Sequence, residues 1–244
     1  MSVAITETSK LRRQTKAKPK TSRDQRNVQA LLSDAQTLYT DSQFAINIEK
    51  QLAFLRKSSL APITRILSLG LGSLSSAEKG QMRRLKQLAI LIAIRDTLQK
   101  QSKSPIQVFA QDPTFTRQDE ALLSTFDIQI ARTSSGSSLG EAADLIDGST
   151  LIYSPFLTLE AYEKLLGRSK QPVQYFIGDD FNALLEKWPR YSAERAQVER
   201  VTKSALGRYR RKAISGSGFW DESDGAFPMA LYAVQSSVKE KARI

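Results

Sequence analysis

The sequence predicts a three-layer α/β sandwich built on a mostly parallel, five-stranded sheet. Three observations indicate this class: apolar, strand-like runs alternate with helical segments about five times, the first run ends on two glycines ahead of a helix, and no apolar run is long enough to span a bilayer. Because strands separated by helices connect through right-handed crossovers, the sheet should be parallel with helices on both faces. Helical or disordered extensions should flank it at both ends.

Apolar spacing and turn residues set the order of the elements. A helix or helical pair over 26–58 should cover one edge of the sheet, and a long, well-buried helix over 78–101 should follow the first strand. Shorter helices are expected at 116–125, 139–145, 158–166 and 181–188. The five strands are expected at 64–69, 106–110, 126–131, 150–153 and 173–177. A strand order of 3-2-1-4-5 then gives a Rossmann-like fold.

The first strand runs into a glycine turn, Gly70-Leu71-Gly72. Ser75 and Glu78 have the spacing of a capping box, which predicts a helix that begins just after the turn. Only two glycines of the G-x-G-x-x-G dinucleotide pattern are present, because Ser75 stands in the third position. The turn is therefore either a tight strand-to-helix connection or a ligand site beside a helix N-terminus.

The carboxyl ends of the strands supply the candidate site. In an open parallel sheet these ends surround one crevice where the strand order reverses, and ligands bind there. Asp112, at the end of the second strand, stands where nucleotide-binding folds hold ribose hydroxyls, although it could instead open the turn before Pro113. The candidate cofactor-binding residues are Gly70, Gly72, Ser73, Asp112, Ser154, Gly178 and Asp179.

The chain contains no histidine and no cysteine. These absences exclude disulfides, the usual zinc sites and a Ser-His-Asp triad, and they remove the commonest axial ligand of haem. Acid–base chemistry would fall to Asp, Glu, Lys or Tyr. The sequence assigns no catalytic and no metal-binding residue, the identity of a cofactor stays open, and neither a membrane span nor a secretory signal is expected.

The formal net charge of +11 is concentrated outside the α/β body. Residues 1–30 and residues 190–212 each hold eight Lys or Arg against two acids, whereas residues 31–189 are neutral. These flanks could contact a polyanion or carry a nuclear address, and 208–212 could equally be a solvated helix end. The predicted segments are a basic disordered tail (1–25), a helical segment (26–60), the α/β domain (61–189) and a basic, aromatic extension (190–244).

Five short motifs occur in an order and spacing that resemble one known family. They are Leu69-Gly70-Leu71-Gly72-Ser73, Gln87-Leu88-Ala89, Asp112-Pro113-Thr114-Phe115-Thr116, Tyr153-Ser154-Pro155 and Gly178-Asp179-Asp180-Phe181. Together they resemble the sensitivity-to-red-light-reduced (SRR-like) domain family over roughly residues 60–188. The resemblance implies an intracellular eukaryotic protein of a family associated with circadian and light-regulated signalling, and in some members with haem metabolism or microtubule function. It implies no established catalytic reaction.

The chain departs from this family at two of the motifs. Pro155-Phe156-Leu157 stands where members commonly have proline-histidine-cysteine, and Gly178-Asp179-Asp180-Phe181 stands where they commonly have G-N-S-F. Any activity that rests on that histidine and cysteine should therefore be absent here. Asp179 and Asp180 either form a carboxylate pair in which one pKa is raised for acid–base work, or Asp180 simply caps the following helix.

Two classes of function remain open from the sequence. The first is a regulatory module in the cytoplasm or nucleus, which uses the α/β body as a scaffold for protein partners and the basic flanks for polyanion contact. The second is a nucleotide-cofactor protein of the S-adenosylmethionine type, with Gly70 and Gly72 beside the ligand and Asp112 on its ribose. Against the second, Ser68 and Leu69 stand where methyltransferase-like sites usually place an acid. The C-terminal aromatic residues either dock back onto the body or serve a partner.

Overall fold

The structure is a computed structural model that describes residues 23–55, 61–100, 102–133, 135, 138–167, 173–226 and 228–235. The helices are α1 Arg23–Thr40, α2 Gln43–Leu55, α3 Gln81–Gln99, α4 Arg117–Ser124, α5 Leu159–Leu166, α6 Phe181–Lys187 and α7 Ala193–Ala205. The strands are β1 Arg65–Leu69, β2 Gln107–Gln111, β3 Ile128–Ile130, β4 Thr150–Ser154, β5 Tyr175–Asp179, β6 Tyr209–Ile214 and β7 Met229–Val234. Short 3-10 helices lie at Gly140–Leu145, Leu206–Arg208 and Glu222–Asp224. Most of the predicted basic tail, residues 1–22, lies outside the described residues.

The described strands form one sheet in the order β3-β2-β1-β4-β5-β7-β6. Neighbours among β1 to β5 are parallel, whereas β7 runs antiparallel to both β5 and β6. The predicted order of the first five strands is confirmed. The predicted total of five strands is wrong, because β6 and β7 from the C-terminal extension lengthen the sheet to seven.

Strand β6 contains most of the basic run 208–212, for which a solvated helix end was one of the two interpretations. Tyr209 is buried and Arg211 pairs with Asp180, the N-cap of α6, while Arg210 and Lys212 lie over the ring of Phe54 in α2. Alternate side chains therefore point to opposite faces, as a strand requires. The basic run is an edge strand, since β6 is the last strand of the sheet.

Helices cover both faces of the sheet and confirm the three-layer α/β class. Helix α1 packs against α3, and α2 packs against α3 and the edge strand β6. With α4 they bury one face of the sheet around Ile66, Leu88 and Leu151. Helices α5, α6 and α7 bury the other face around Ile152 and Phe176. The apolar stretch of α3 is buried, as its sequence predicts.

Helix α3 begins later than the sequence predicts. Its N-cap is Gly80, with a φ of 89°, and its first helical residue is Gln81. The predicted capping box of Ser75 and Glu78 is therefore wrong. Ser75 is instead bound to a distant part of the chain, because its N–H donates a hydrogen bond to the carboxylate of Asp119 at 2.7 Å.

The aromatic C-terminal segment docks onto the N-terminal helices. Phe219 is buried and its ring stacks on Phe44 of α2, with 5.5 Å between ring centroids. Beside it, Lys86 of α3 is 3% exposed and lies 2.5 Å from Asp224 and 3.1 Å from Asp221. Docking onto the body, one of the two alternatives for these aromatic residues, is confirmed.

Candidate ligand-binding crevice

A crevice opens above the carboxyl ends of β1, β2 and β4, and it consists of two cavities that share Gly70, Thr114 and Phe156 in their walls. The first, of about 270 Å³, lies between the ends of β1 and β2, the loop after β3, and α5; we call it the strand-end cavity. The second, of about 510 Å³, lies beside the glycine turn and is lined by Arg83 and Arg84; we call it the arginine cavity. Both open where the strand order reverses.

The backbone requires glycine at both positions of the turn. Gly70 and Gly72 each have a φ of 75°, a region that side chains disfavour. A Cβ on Gly70 would lie 2.6 Å from Leu157, and a Cβ on Gly72 would lie 2.5 Å from Arg84. Gly70 also lines both cavities, and Gly72 lines the arginine cavity. The turn is therefore a tight connection and at the same time part of the crevice wall.

Asp119, which sequence reasoning did not identify, holds this turn in place. Its buried carboxylate accepts hydrogen bonds from the Ser73 hydroxyl at 2.8 Å and from the N–H groups of Leu74 at 2.9 Å, Ser75 at 2.7 Å and Thr116 at 2.8 Å. Burial raises the pKa of Asp119, but the hydrogen bonds from Thr116, Ser73 and Ser75 outweigh it and hold the pKa below its ordinary value. The Thr116-x-x-Asp119 capping box of α4 was the signal that could have found it.

Asp112 faces the glycine turn. Its Oδ2 accepts the Gly72 N–H at 2.8 Å, and its Oδ1 accepts the Thr114 N–H at 2.8 Å and the Thr114 hydroxyl at 2.6 Å. A carboxylate offers about four lone-pair positions, so roughly one remains for a ligand. A grip on two vicinal ribose hydroxyls would therefore require the Thr114 hydroxyl to move away. N–H groups of the turn donate hydrogen bonds to Asp112 and Asp119. These N–H groups are therefore not available to bind a phosphate.

Arg84 supports the turn from the helix side. Its Nε donates to the Ser73 carbonyl at 2.5 Å, its Nη2 to the Ser76 carbonyl at 2.8 Å and its Nη1 to the Lys79 carbonyl at 3.2 Å. Burial, and after it the neighbouring Arg83 guanidinium, lowers the pKa of Arg84 from its ordinary value. Arg84 is thus a structural clamp on the loop that precedes α3.

Phe156 forms the wall between the two cavities. Its φ of 66° is unusual for a residue with a side chain, and the strained backbone is held by a hydrogen bond from the Phe156 N–H to Asp179 Oδ1 at 2.9 Å. The ring packs edge-on against Trp220, with 6.2 Å between centroids, and the Arg83 guanidinium lies 5.3 Å from its centroid. Nothing in the sequence indicates this backbone conformation at Phe156.

Three of the predicted site residues lie beneath the crevice. Ser154 is fully buried, and its hydroxyl has no hydrogen-bond partner among the described residues. Gly178 is inside β5, where a Cβ would lie 2.6 Å from the Tyr162 hydroxyl. Asp179 is 6% exposed and supports Phe156 from below. The other four predicted residues line the cavities: Gly70, Gly72, Ser73 and Asp112.

The two adjacent aspartates at the end of β5 have different environments. Burial raises the pKa of Asp179 to about 7, although the Phe156 N–H, the Tyr162 hydroxyl and a nearby lysine lower it. Asp180 caps α6 by accepting the Asn182 N–H at 3.0 Å, and it pairs with Arg211 of β6. The N-cap interpretation of Asp180 is confirmed. The raised pKa of Asp179 comes from burial rather than from a neighbouring like charge.

A comparison with models of known protein families identifies the family of the chain. The model of the SRR1 domain matches residues 29–223. The chain belongs to the SRR1 domain family. A search of curated proteins found no match. Among solved structures, this SRR1 domain is similar to cofactor-bound Rv0187 from MTB, at 14% identity and a TM-score of 0.45 over 85% of this chain and 89% of that one. It is also similar to a candidate O-methyltransferase from Klebsiella pneumoniae, at 17% identity and a TM-score of 0.44 over 89% and 92%. Scores this low carry no inference about ligand or reaction.

In this SRR1 domain, the departure from the family pattern lies in the crevice wall. Phe156 and Leu157 stand at the positions where the resemblance implies histidine and cysteine, and both line the strand-end cavity. Leu157 is also the side chain that packs against Gly70. An imidazole and a thiol are thus replaced by apolar groups, so these positions offer packing surface in place of proton transfer or metal binding.

The walls of the crevice carry charged as well as apolar side chains. Glu78 and Lys164 add charge to its walls beside the two arginines. In the part of the chain that the structure describes, no group of three or more His, Cys, Asp or Glu residues could hold a metal ion. None of the described helices is both long enough and apolar enough to cross a membrane.

Proposed function

We propose that this SRR1 domain binds a nucleoside-type small molecule in the crevice and uses that binding for regulation. The observation that carries the proposal is the pair of cavities that meet at Gly70, where the strand order of the sheet reverses. Taken together, their volumes lie within the range of roughly 300 to 1,000 Å³ that small-molecule sites occupy.

The strand-end cavity offers the chemistry of a base-and-sugar site. Its apolar walls suit a flat ring and come from Leu69, Leu139, Leu157 and Leu165. Its hydroxyl groups suit the polar edge of a base or the hydroxyls of a sugar and come from Thr114, Thr133, Ser138 and Thr158. Asp112 adds one free acceptor position at the same wall, which matches a single ribose hydroxyl.

The surroundings of two carboxyl groups near the crevice, those of Asp112 and Asp179, favour a regulatory role over catalysis. Asp112 already accepts three hydrogen bonds, and Asp179, whose pKa is about 7, lies beneath Phe156. Asp179 is therefore shielded from a ligand in the crevice, and Asp112 keeps about one position that can accept a hydrogen bond from a ligand hydroxyl. Inside the cell, in the cytoplasm or nucleus, the ligand would tune contact with protein partners, which is the signalling role of circadian type that the family resemblance implies.

Thermal unfolding with added nucleosides tests the proposal. Adenosine, guanosine, cytidine and uridine are the probes, and a ligand at about 100 times its Kd stabilises by about 2.7 kcal/mol, a shift of several degrees in Tm. Ala161→Leu in α5 should abolish the shift by filling the strand-end cavity. Ala196→Leu, at an exposed site of α7, is the matched control and should preserve it. No shift with any of the four, or a shift that survives Ala161→Leu, would contradict the proposal.

A second function, contact with a polyanion, is favoured by the edge strand β6. The charged ends of Arg210 and Lys212 lie 4.7 and 4.9 Å from the ring centroid of Phe54, and Arg208, directly before the strand, is exposed. Cations interleaved with aromatic rings are typical of surfaces that bind single-stranded nucleic acid. Most of strand β6 belongs to the second basic flank that the sequence predicts, residues 190–212.

Salt dependence tests the second function. Binding of a fluorescent single-stranded RNA is measured between 50 and 300 mM KCl, and the double variant Arg210→Gln, Lys212→Gln should lower the slope of log K against log salt by about two. The double variant Arg200→Gln, Lys203→Gln on α7 removes the same charge from another surface and should leave the slope closer to that of the wild type. An affinity independent of salt would exclude polyanion contact.

A further inference from the structure

Two adjacent arginines line the arginine cavity, and they differ in how many hydrogen bonds they donate to the described residues. Arg84 donates to three backbone carbonyls of the loop before α3. Arg83 makes one long hydrogen bond, from Nη1 to the Gly225 carbonyl at 3.4 Å, and its Nε is buried with no partner among the described residues. A guanidinium carries five N–H donors, so most of the donors of Arg83 remain for another molecule.

The charge of Arg83 is also uncompensated. Across the described ranges, neither Arg83 nor Arg84 forms an ion pair with a carboxylate. Glu78 is in the same cavity wall but pairs with neither. Glu78, Asp119 and Asp112 lie close enough to interact with the charge of Arg84, and the two aspartates are also engaged by the glycine turn. Two neighbouring cations in a concave site, with no acid bonded to them, favour an anion as the missing partner.

Phe156 fixes the orientation of Arg83 at the boundary of the two cavities. The guanidinium lies over the ring at 5.3 Å, and Phe156 lines both cavities. A guanidinium that stacks on an aromatic ring keeps its in-plane N–H groups available for bidentate contact with a carboxylate or phosphate. An anion bound there would lie next to whatever occupies the strand-end cavity.

We infer that Arg83 binds an anionic group, a phosphate or a carboxylate, on the ligand whose nucleoside part occupies the strand-end cavity. This inference rests on the proposed function, because it assigns the two parts of one ligand to the two cavities. Arg84 then acts as a positioning residue, since it shapes the wall beside the anion through the Ser73 and Ser76 carbonyls.

Calorimetric titration of the full chain with three probes tests the inference. Adenosine carries no anionic group, adenosine monophosphate carries a phosphate, and S-adenosylhomocysteine carries a carboxylate beside an amine. At low salt, at least one charged probe should bind more tightly than adenosine by about 10- to 100-fold. Arg83→Gln should remove that gain over adenosine, and Arg83→Lys should retain part of it because the charge remains without the planar fork. Arg200→Gln, on α7, is the matched control for charge, and Tm values report on folding.

The outcomes separate this inference from the proposed function. A gain that disappears in Arg83→Gln and survives in Arg200→Gln supports the inference, and the probe that shows it decides between phosphate and carboxylate. Equal binding of all three probes, or a gain that survives Arg83→Gln, overturns the inference and leaves the nucleoside site standing. If none of the three probes binds the wild type, both the inference and the adenosine form of the proposed function fail.

Discussion

Asp179→Asn should stabilise the protein at neutral and alkaline pH and have little effect at acidic pH. Burial raises the pKa of Asp179 from the ordinary 3.8 to about 7 in the folded state. Between those two values the folded chain keeps a proton that the unfolded chain releases, so the free energy of unfolding falls as the pH rises. Asparagine has the same shape, keeps an oxygen to accept the Phe156 N–H and does not ionise.

The magnitude follows from the size of the shift. Each pKa unit corresponds to about 1.4 kcal/mol, so the wild type should lose about 3 kcal/mol relative to the variant between pH 5 and pH 8. This pH range suits the measurement because the chain has no histidine and no cysteine, the side chains that most often titrate within it. Carboxyls whose pKa is lowered, such as that of Asp119, lose their contribution only at more acidic pH.

Urea denaturation at pH 5, 6, 7, 8 and 9 measures the effect. The difference in unfolding free energy between Asp179→Asn and the wild type should grow with pH and level off above pH 8. Asp180→Asn is the matched control, and it should destabilise the protein because Arg211 loses its ionic partner. A difference that stays constant from pH 5 to pH 9 would refute the assignment of a raised pKa to Asp179.

Three further substitutions test the supports of the crevice and of the docked C-terminal segment. Lys86→Met should lower the free energy of unfolding by about 3 to 5 kcal/mol, since Asp224 is left buried without its cation, and adding Asp224→Asn should recover part of that loss in urea denaturation. Gly72→Ala should lower it by about 1 to 3 kcal/mol, because φ is 75° and the new Cβ meets Arg84; a Tm equal to that of the wild type would contradict this. Asp119→Asn should cost at least about 2 kcal/mol and increase hydrogen exchange at the glycine turn, whereas unchanged exchange there would show that the turn does not depend on the carboxylate.

The first five strands were predictable because each is a short apolar run bounded by turn residues, as Ile66–Leu69 is by Gly70. Strand β6 was not, because three charged residues occupy positions 210–212 and only its two ends, Tyr209 and Ile214, are buried, so the sequence shows no apolar alternation there. Only tertiary pairing with β7 reveals it as a strand.

The candidate site was predictable in position but not in side-chain direction. The rule that ligands bind at strand ends led to Gly70 and Asp112, which line the cavities because both follow a strand directly. The same rule selected Ser154 and Gly178, which pair with each other across β4 and β5 and point toward α5. Successive residues of a strand point to opposite faces of the sheet. An error of one residue in the predicted end of a strand therefore places a side chain on the wrong face. Asp119 was not predicted because its partners in the glycine turn, Leu74 and Ser75, lie more than forty positions earlier, and its capping box with Thr116 by itself indicates only the start of α4.

The place of the antiparallel strand β7 in the sheet limits the order in which the strands can assemble during synthesis. It lies in the interior of the sheet, hydrogen-bonded to β5 on one side and β6 on the other, yet it follows both in the chain. During synthesis, β5 must therefore wait with an unpaired edge until residues 229–234 have emerged, and β6 has no place in the sheet before then. The nascent chain can form β1 to β4 early, but the basic edge strand can take its final position only after residues 229–234 have been synthesised.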